Sequence, residues 1–257
     1  MTLYIARDKD FFGFSRKKQV KQYIVLDLDS TLINTFDEME SLQRLKIMTD
    51  PRLVELRSRT YVLRLEDADS KRGEGSITKL WGITRPHVKE FLIYCFSRFA
   101  GVAIWSAGKE KYVEAVVDYL FRNIKKPDLV FSCRQTGPDE EFIWHRDQCD
   151  TVNGHIVKPL HRLIEAYGGD MSLSNTFIVD DTESTFRENP ENAIFIPRYE
   201  PAPTINSIST DDPTLLQLMK WFELPEVKNN TDIRTLKKDN IFTRSLKEYD
   251  ELLKLSL

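Results

Sequence analysis

A chain of 257 residues, 41% hydrophobic and 30% charged, carries enough apolar material for one sizeable core and too much for a disordered polypeptide. The net charge of −3 provides no global field for nucleic acid or an anionic membrane surface. No apolar run approaches the roughly 18 residues of a membrane-spanning helix.

The first 22 residues are aromatic and basic and lack the continuous apolar centre of a signal peptide. Three widely spaced cysteines (Cys95, Cys133 and Cys149), with no CxxC, fit a reducing compartment better than a disulfide framework. The expectation is an intracellular protein. Arg16, Lys17, Lys18 and Lys21 could serve as a nuclear address, although so short a basic cluster is more often a solvated surface.

In chain order, the first strong signal is a β-prone run over about residues 21–28 that enters Asp27-Leu-Asp29-Ser-Thr31. Apolar runs without alternation suit strands buried on both faces of a parallel sheet. A charged, helix-compatible stretch from Asp37 to Met48 follows. Then Thr60–Glu66 and Ile77–Ile83, separated by a charged turn with Gly73 and Gly75, predict a β-hairpin inserted outside the main sheet. Pro86 opens a helix over 87–99, Gly101–Trp105 is a second buried strand ended by Ser106, and 109–121 is a second amphipathic helix. Asp128–Phe131 is a third strand, and 132–155 reads as irregular. Lys158-Pro159 precedes a helix from Leu160 to Tyr167, stopped by Gly168-Gly169. Thr176–Val179 is a fourth strand ending in Asp180-Asp181, a short helix covers 183–187, and Ala193–Ile196 is a fifth strand. Helical patterns return at 215–222 and 233–257.

This alternation predicts an α/β fold with an open, mostly parallel sheet of about five strands flanked by helices. The expected organisation is a single domain over 1–257: a core of about 20–205, a β insertion at about 55–84, and C-terminal helices at about 211–257 packed on the core. Parallel strands place their carboxyl ends on one edge, so Asp27, Asp29, Thr31, Ser106, Asp180 and Asp181 should converge there, with Lys158 beside them. Several carboxylates at short range need cations to answer them. Oxygen donors with no His or Cys cluster favour Mg²⁺ over Zn²⁺. Such a site suits phosphoryl transfer through a carboxylate, with Asp27 as the attacking group and Asp29 as acid and base.

DLDSTL resembles the DxDxT signature of the haloacid-dehalogenase phosphatases. Further landmarks are similar to one branch, the phosphatases of the RNA polymerase II C-terminal domain, including the small ones. They are Arg85-Pro86-His87 with Glu90-Phe91-Leu92, Ile104-Trp105-Ser106-Ala107, His155-Ile-Val-Lys158, Ile178-Val-Asp180-Asp181, and Asn189-Pro190-Glu191-Asn192. Together they cover about residues 20–200. The resemblance implies Asp27 as nucleophile, Asp29 as acid/base that also offers its carbonyl to Mg²⁺, and Asp181, supported by Asp180, as the rest of the metal site. Thr31, Ser106 and Lys158 would bind phosphate, and Arg134 lies near a substrate-contacting arginine of the small phosphatases. The implied substrate is a phosphoserine or phosphothreonine protein or peptide, such as the tail of the polymerase's largest subunit, with neither direct nucleic-acid binding nor a membrane. Pro159 stands where the family usually has an acidic residue, and no region resembles the BRCT domain of its larger members.

Singly, these features are weak: a lone DxD is often a solvated turn, a lone serine a turn residue, and a lone lysine a surface charge. Their order gives them weight. Trp81, on the hairpin, is a packing residue or a wall of a peptide groove. The competing functions are hydrolysis of a small phosphate ester, and phosphopeptide binding by an inactive relative.

Overall fold

The computed structural model describes residues 20–66, 75–134 and 148–255. Expectations for residues 1–19, for the turn at 67–74 and for most of the 132–155 stretch lie outside the described residues.

The main sheet is built from β1 (Tyr23–Leu26), β5 (Gly101–Lys109), β6 (Leu129–Arg134), β9 (Thr176–Asp180) and β10 (Ala193–Phe195), in the order β10-β9-β1-β5-β6 with every pairing parallel. Chain order runs outward from β1 in both directions, through β5 to β6 on one side and through β9 to β10 on the other. The topological switch point, where open α/β sheets bind ligands, therefore lies at the carboxyl end of β1.

Burial explains why β1 shows no alternation. Ile24 and Leu26 enter one core with α3 (Val88–Arg98), α4 (Glu110–Leu120) and α7 (Thr214–Glu223), while Tyr23 and Val25 enter a second core with α5 (Leu160–Tyr167). On the first face α7 supplies Trp221 and Phe222, which meet Phe177 of β9 edge-on at centroid distances of 5.9 and 5.2 Å. The short α6 (Ile205–Ser209) precedes α7 and the short α8 (Pro225–Lys228) follows it, and α9 (Leu246–Leu255) packs behind α7 through Tyr249, whose hydroxyl donates to Ile241 O at 2.8 Å.

The insertion is larger than a hairpin. β3 (Thr60–Glu66) and β4 (Ile77–Thr84) pair antiparallel, but β2 (Ile33–Phe36) joins the other edge of β4 to give the order β2-β4-β3. Its strands therefore begin at 33 and not at about 55. β2 grows out of the turn after β1, where the amides of Thr31, Leu32 and Ile33 all donate to Leu28 O. Between β2 and β3 lie α1 (Met39–Leu45) and α2 (Val54–Arg59), which cover the other face of this sheet.

Four further expectations are corrected. The second strand runs on past Trp105 to Lys109. Residues 150–157, read as largely irregular, form the hairpin β7 (Asp150–Val152) and β8 (His155–Val157). Its two-residue turn, Asn153-Gly154, holds φ of 52° and 77°, the left-handed pair that Asn-Gly accepts at low cost. The helix read over 233–257 is only a short 3₁₀ turn at Ile233–Thr235 followed by α9 from 246. Finally, Cys149 is disulfide-bonded while buried Cys95 is free, so the reading of the cysteines as uniformly reduced does not hold. Among the described residues, no helix is long and apolar enough to cross a membrane.

Candidate active site

The Asp27 amide donates to Val179 O at 3.0 Å, extending the ladder between β1 and β9 by one residue. Its carboxylate thus emerges beside Asp180, the last residue of β9. Lys158, which follows β8, sends its ammonium between them, 2.6 Å from Asp27 Oδ1 and 2.6 Å from Asp180 Oδ2. All three side chains are buried. The other Asp180 oxygen accepts the Thr182 amide at 2.9 Å. Asp181 turns one oxygen to Thr31 Oγ1, at 3.4 Å, and the other to Thr182 Oγ1 and to the guanidinium of exposed Arg198, at 2.9 Å. Arg198 is in turn held by Glu200 at 2.8 Å, and Glu200 accepts the Ser30 hydroxyl at 3.0 Å.

Burial pushes the Asp27 carboxyl up to about 8, since the Lys158 ammonium only partly offsets the lost hydration and the Asp180 charge. Asp29 is likewise raised by burial, against the pull of a hydrogen bond from Tyr112. Asp181 is raised by burial and by Asp180, with Arg198 opposing. For Lys158 burial works to lower the pKa, but the Asp180 and Asp27 charges outweigh it and the ammonium is held firmly.

A divalent cation fits this set. Oxygens of Asp27, Asp180 and Asp181 lie within 4.8 Å of one another, all on buried residues. With Asp29, four carboxylates face one buried ammonium and one exposed guanidinium that is shared with Glu200. Burial first, and then the mutual repulsion of these carboxylates, keeps their pKa values raised. The donors are all hard oxygens, the kind that Mg²⁺, Ca²⁺ and Mn²⁺ take.

The structure thus gathers Asp27, Asp180, Asp181, Thr31 and Lys158 into one bonded group. Asp29 sits two residues from Asp27 but directs its carboxylate to Tyr112. Ser106 is buried on the neighbouring strand, just beyond the Leu26–Ile104 register pair, with its hydroxyl accepting the Gly108 amide at 3.0 Å. Arg134 closes β6 opposite Lys109, and its side chain lies outside the described residues. Trp81 is fully buried: it stacks on Phe36 at 4.3 Å and donates its indole N–H to Glu38 O and Ser41 Oγ, both at 2.9 Å. It lines no groove.

Sequence reasoning gave no role in the site to three contributors. Arg85 is buried and props the loop from behind, donating to Thr31 O at 3.1 Å and pairing with Asp212 at 2.9 Å. Arg198 carried no motif. Tyr112 looked like one more apolar member of the helical stripe of α4.

Fold and site together define a doubly wound parallel α/β protein with a carboxylate cluster, suited to a hard divalent cation, at its switch point. The profile of the NLI interacting factor-like phosphatases matches residues 22–234, and the chain belongs to that family. It is 31% identical over 121 residues to a Dictyostelium discoideum protein named "Probable C-terminal domain small phosphatase", a match covering 47% of this chain and 33% of that one. It is 28% identical over 210 residues to the CTD phosphatase-like protein 355R of Invertebrate iridescent virus 3, covering 79% of this chain and 96% of that one. A solved structure of the fission yeast RNA polymerase II CTD phosphatase Fcp1 aligns with a TM-score of 0.49 at 18% identity, over 78% of this chain and 49% of the other. The chain spans about a third of the Dictyostelium relative.

Proposed function

We propose that this chain is a single-domain, Mg²⁺-dependent protein serine/threonine phosphatase that works through an aspartyl-phosphate on Asp27. The observation that carries the reading is the buried Asp27–Lys158–Asp180 arrangement at the switch point, with Asp29 two residues away and aimed elsewhere. A carboxylate that only needed neutralising would not require a second, separately held carboxyl at that spacing.

Asp27, Asp180 and Asp181 would hold the metal, with the Asp29 carbonyl; when bound, the metal neutralises charge on the phosphoryl oxygens and keeps Asp27 ionised. Lys158, Thr31 and Ser106 bind the remaining phosphoryl oxygens, with Lys158 as the fixed positive charge. An Asp27 oxygen attacks phosphorus in line, the bond from phosphorus to the serine oxygen breaks, and Asp29 gives that oxygen its proton. Asp29, now ionised, takes a proton from water as the water oxygen attacks phosphorus. The Asp27–phosphorus bond then breaks, inorganic phosphate leaves, and both carboxyls return to their starting state.

The substrate class rests on family membership: the relatives are named as phosphatases of the C-terminal domain. Phosphoserine or phosphothreonine on an extended, polymerase-tail-like peptide is the matching ligand, with Arg134 as a contact to it. The test is hydrolysis of p-nitrophenyl phosphate and of a phosphoserine heptad peptide with Mg²⁺, with EDTA, and by Asp27→Asn. Turnover of both esters that EDTA and Asp27→Asn abolish is expected. Absence of Mg²⁺-dependent turnover by the wild type overturns the proposal, and a strong preference for sugar phosphates over the peptide overturns its substrate class.

A further inference from the structure

Behind Asp29 lies a row of hydroxyls with no part in the chemistry just described. The Tyr112 phenol donates to Asp29 Oδ1. Thr35 Oγ1 lies 2.6 Å from the Tyr112 oxygen and 2.6 Å from that of Tyr61. The members come from four places: the loop after β1, β2, β3 and α4. Asp29 and Tyr112 are 83 residues apart in sequence.

While Asp29 is ionised and can only accept, proton counting gives the row a direction. A tyrosine phenol is neutral at neutral pH, so each of the two has a single proton to give. Tyr112 commits its proton to the carboxylate, so Thr35 must donate to Tyr112, and Tyr61 must then donate to Thr35. Every donor points toward Asp29, the arrangement in which successive hydrogen bonds strengthen one another. Two glycines make room for it. Gly82 sits within β4, where a Cβ would overlap the Tyr61 ring and its hydroxyl and lie 2.6 Å from Asn34 O. A Cβ at Gly108 would lie 2.8 Å from Tyr112 Cδ1. Glycine weakens a strand interior and is found there where another group comes close.

We infer that Tyr61, Thr35 and Tyr112 are positioning residues for the acid step, holding Asp29 by Oδ1 so that Oδ2 is the oxygen that carries the proton to the leaving group. The inserted sheet is thereby a support for the acid as well as a flank of the fold. This rests on the function proposed above. With Oδ1 already accepting from the phenol, Oδ2 is the oxygen left to carry a proton. The carboxyl plane is also fixed against rotation, and orientation of this kind governs how well an acid serves its leaving group.

A phosphoserine ester leaves as an alkoxide and needs the proton, whereas p-nitrophenolate leaves without it. Tyr112→Phe, which removes the donor and keeps the ring, should therefore lower kcat/KM for a phosphoserine peptide about tenfold or more, and for p-nitrophenyl phosphate by less than about threefold. Tyr61→Phe, at the far end of the row, should show the same selectivity more weakly. Thermal unfolding of each variant is measured alongside, and Tyr61→Phe carries the test if Tyr112→Phe does not fold. Equal losses on the two esters, which a merely structural role would give, overturn the inference, as does no loss on either. If the wild type hydrolyses neither ester, the function proposed above fails and this inference falls with it. If the wild type hydrolyses both but the selectivity is missing, only this inference fails.

Discussion

The Lys158 ammonium lies 2.6 Å from Asp27 Oδ1, and both side chains are buried. A buried pair of this kind contributes little net stability over an apolar pair, but removing one member strands the other. Lys158→Met should therefore destabilise the metal-free protein by about 3 kcal/mol or more. The variant's unfolding midpoint in EDTA is the measurement. Activity should fall by about two orders of magnitude, the usual effect of losing one charge-stabilising donor. A midpoint equal to that of the wild type would mean that the ammonium is not held between Asp27 and Asp180 as the structure has it.

The three raised carboxyls set a pH dependence. An unfolded Asp27 ionises near its ordinary value, whereas the folded one holds its proton up to about 8, so the folded, metal-free state binds more protons between about 4 and about 8. Stability in EDTA should fall as pH rises through that window, and Asp29 and Asp181, both also raised, act in the same direction. Metal must displace the Asp27 proton, so the stabilisation produced by added Mg²⁺ should grow with pH over the same range. Thermal unfolding across pH, with and without Mg²⁺, reads both slopes. A metal-free midpoint that climbs from about 5 to 8 would contradict the buried carboxyl cluster.

Gly82→Ala brings a methyl against the Tyr61 ring and the Asn34 carbonyl. Overpacking of this sort costs typically about 1–3 kcal/mol. Because the displaced ring belongs to the row behind Asp29, hydrolysis of the phosphoserine peptide should fall further than that of the aryl phosphate. Circular dichroism melts and the two esters measure the two effects.

Trp81→Phe should be a purely structural change. It leaves the Glu38 carbonyl and the Ser41 hydroxyl without their indole donor, at a cost of about 1–3 kcal/mol, and KM for a peptide substrate should not move. A raised KM at unchanged stability would return Trp81 to the role of groove wall that its burial denies.

The parallel sheet was legible because its central strands are buried on both faces, which leaves a plain apolar run in the sequence: Ile24, Val25 and Leu26 in β1, and Phe177, Ile178 and Val179 in β9. The carboxylates ending those runs were legible for the same reason, as charge at the end of a buried strand is costly without a use. β2 was not, since Ile33–Phe36 is short and half-exposed and becomes a strand only by pairing with the last four residues of β4. The β7–β8 hairpin left an Asn-Gly signal that could have found it. Residues 236–245 carry helix-like spacing, yet they are held in irregular form by long-range bonds such as Gln217 Nε2 to Arg244 O at 2.8 Å. Tyr112 was hidden by its own helix: local periodicity groups it with Val113 and Val116, and nothing local indicates a carboxylate 83 residues away.

The most direct measurement is a rapid acid quench of the enzyme during turnover of a phosphoserine peptide, followed by digestion and mass analysis. The peptide containing Asp27 should carry a phosphate-mass adduct that hydroxylamine removes, and Asp27→Asn should carry none. An adduct on any other residue, or turnover with no adduct under conditions that accumulate it in Asp29→Asn, would contradict a covalent path through Asp27.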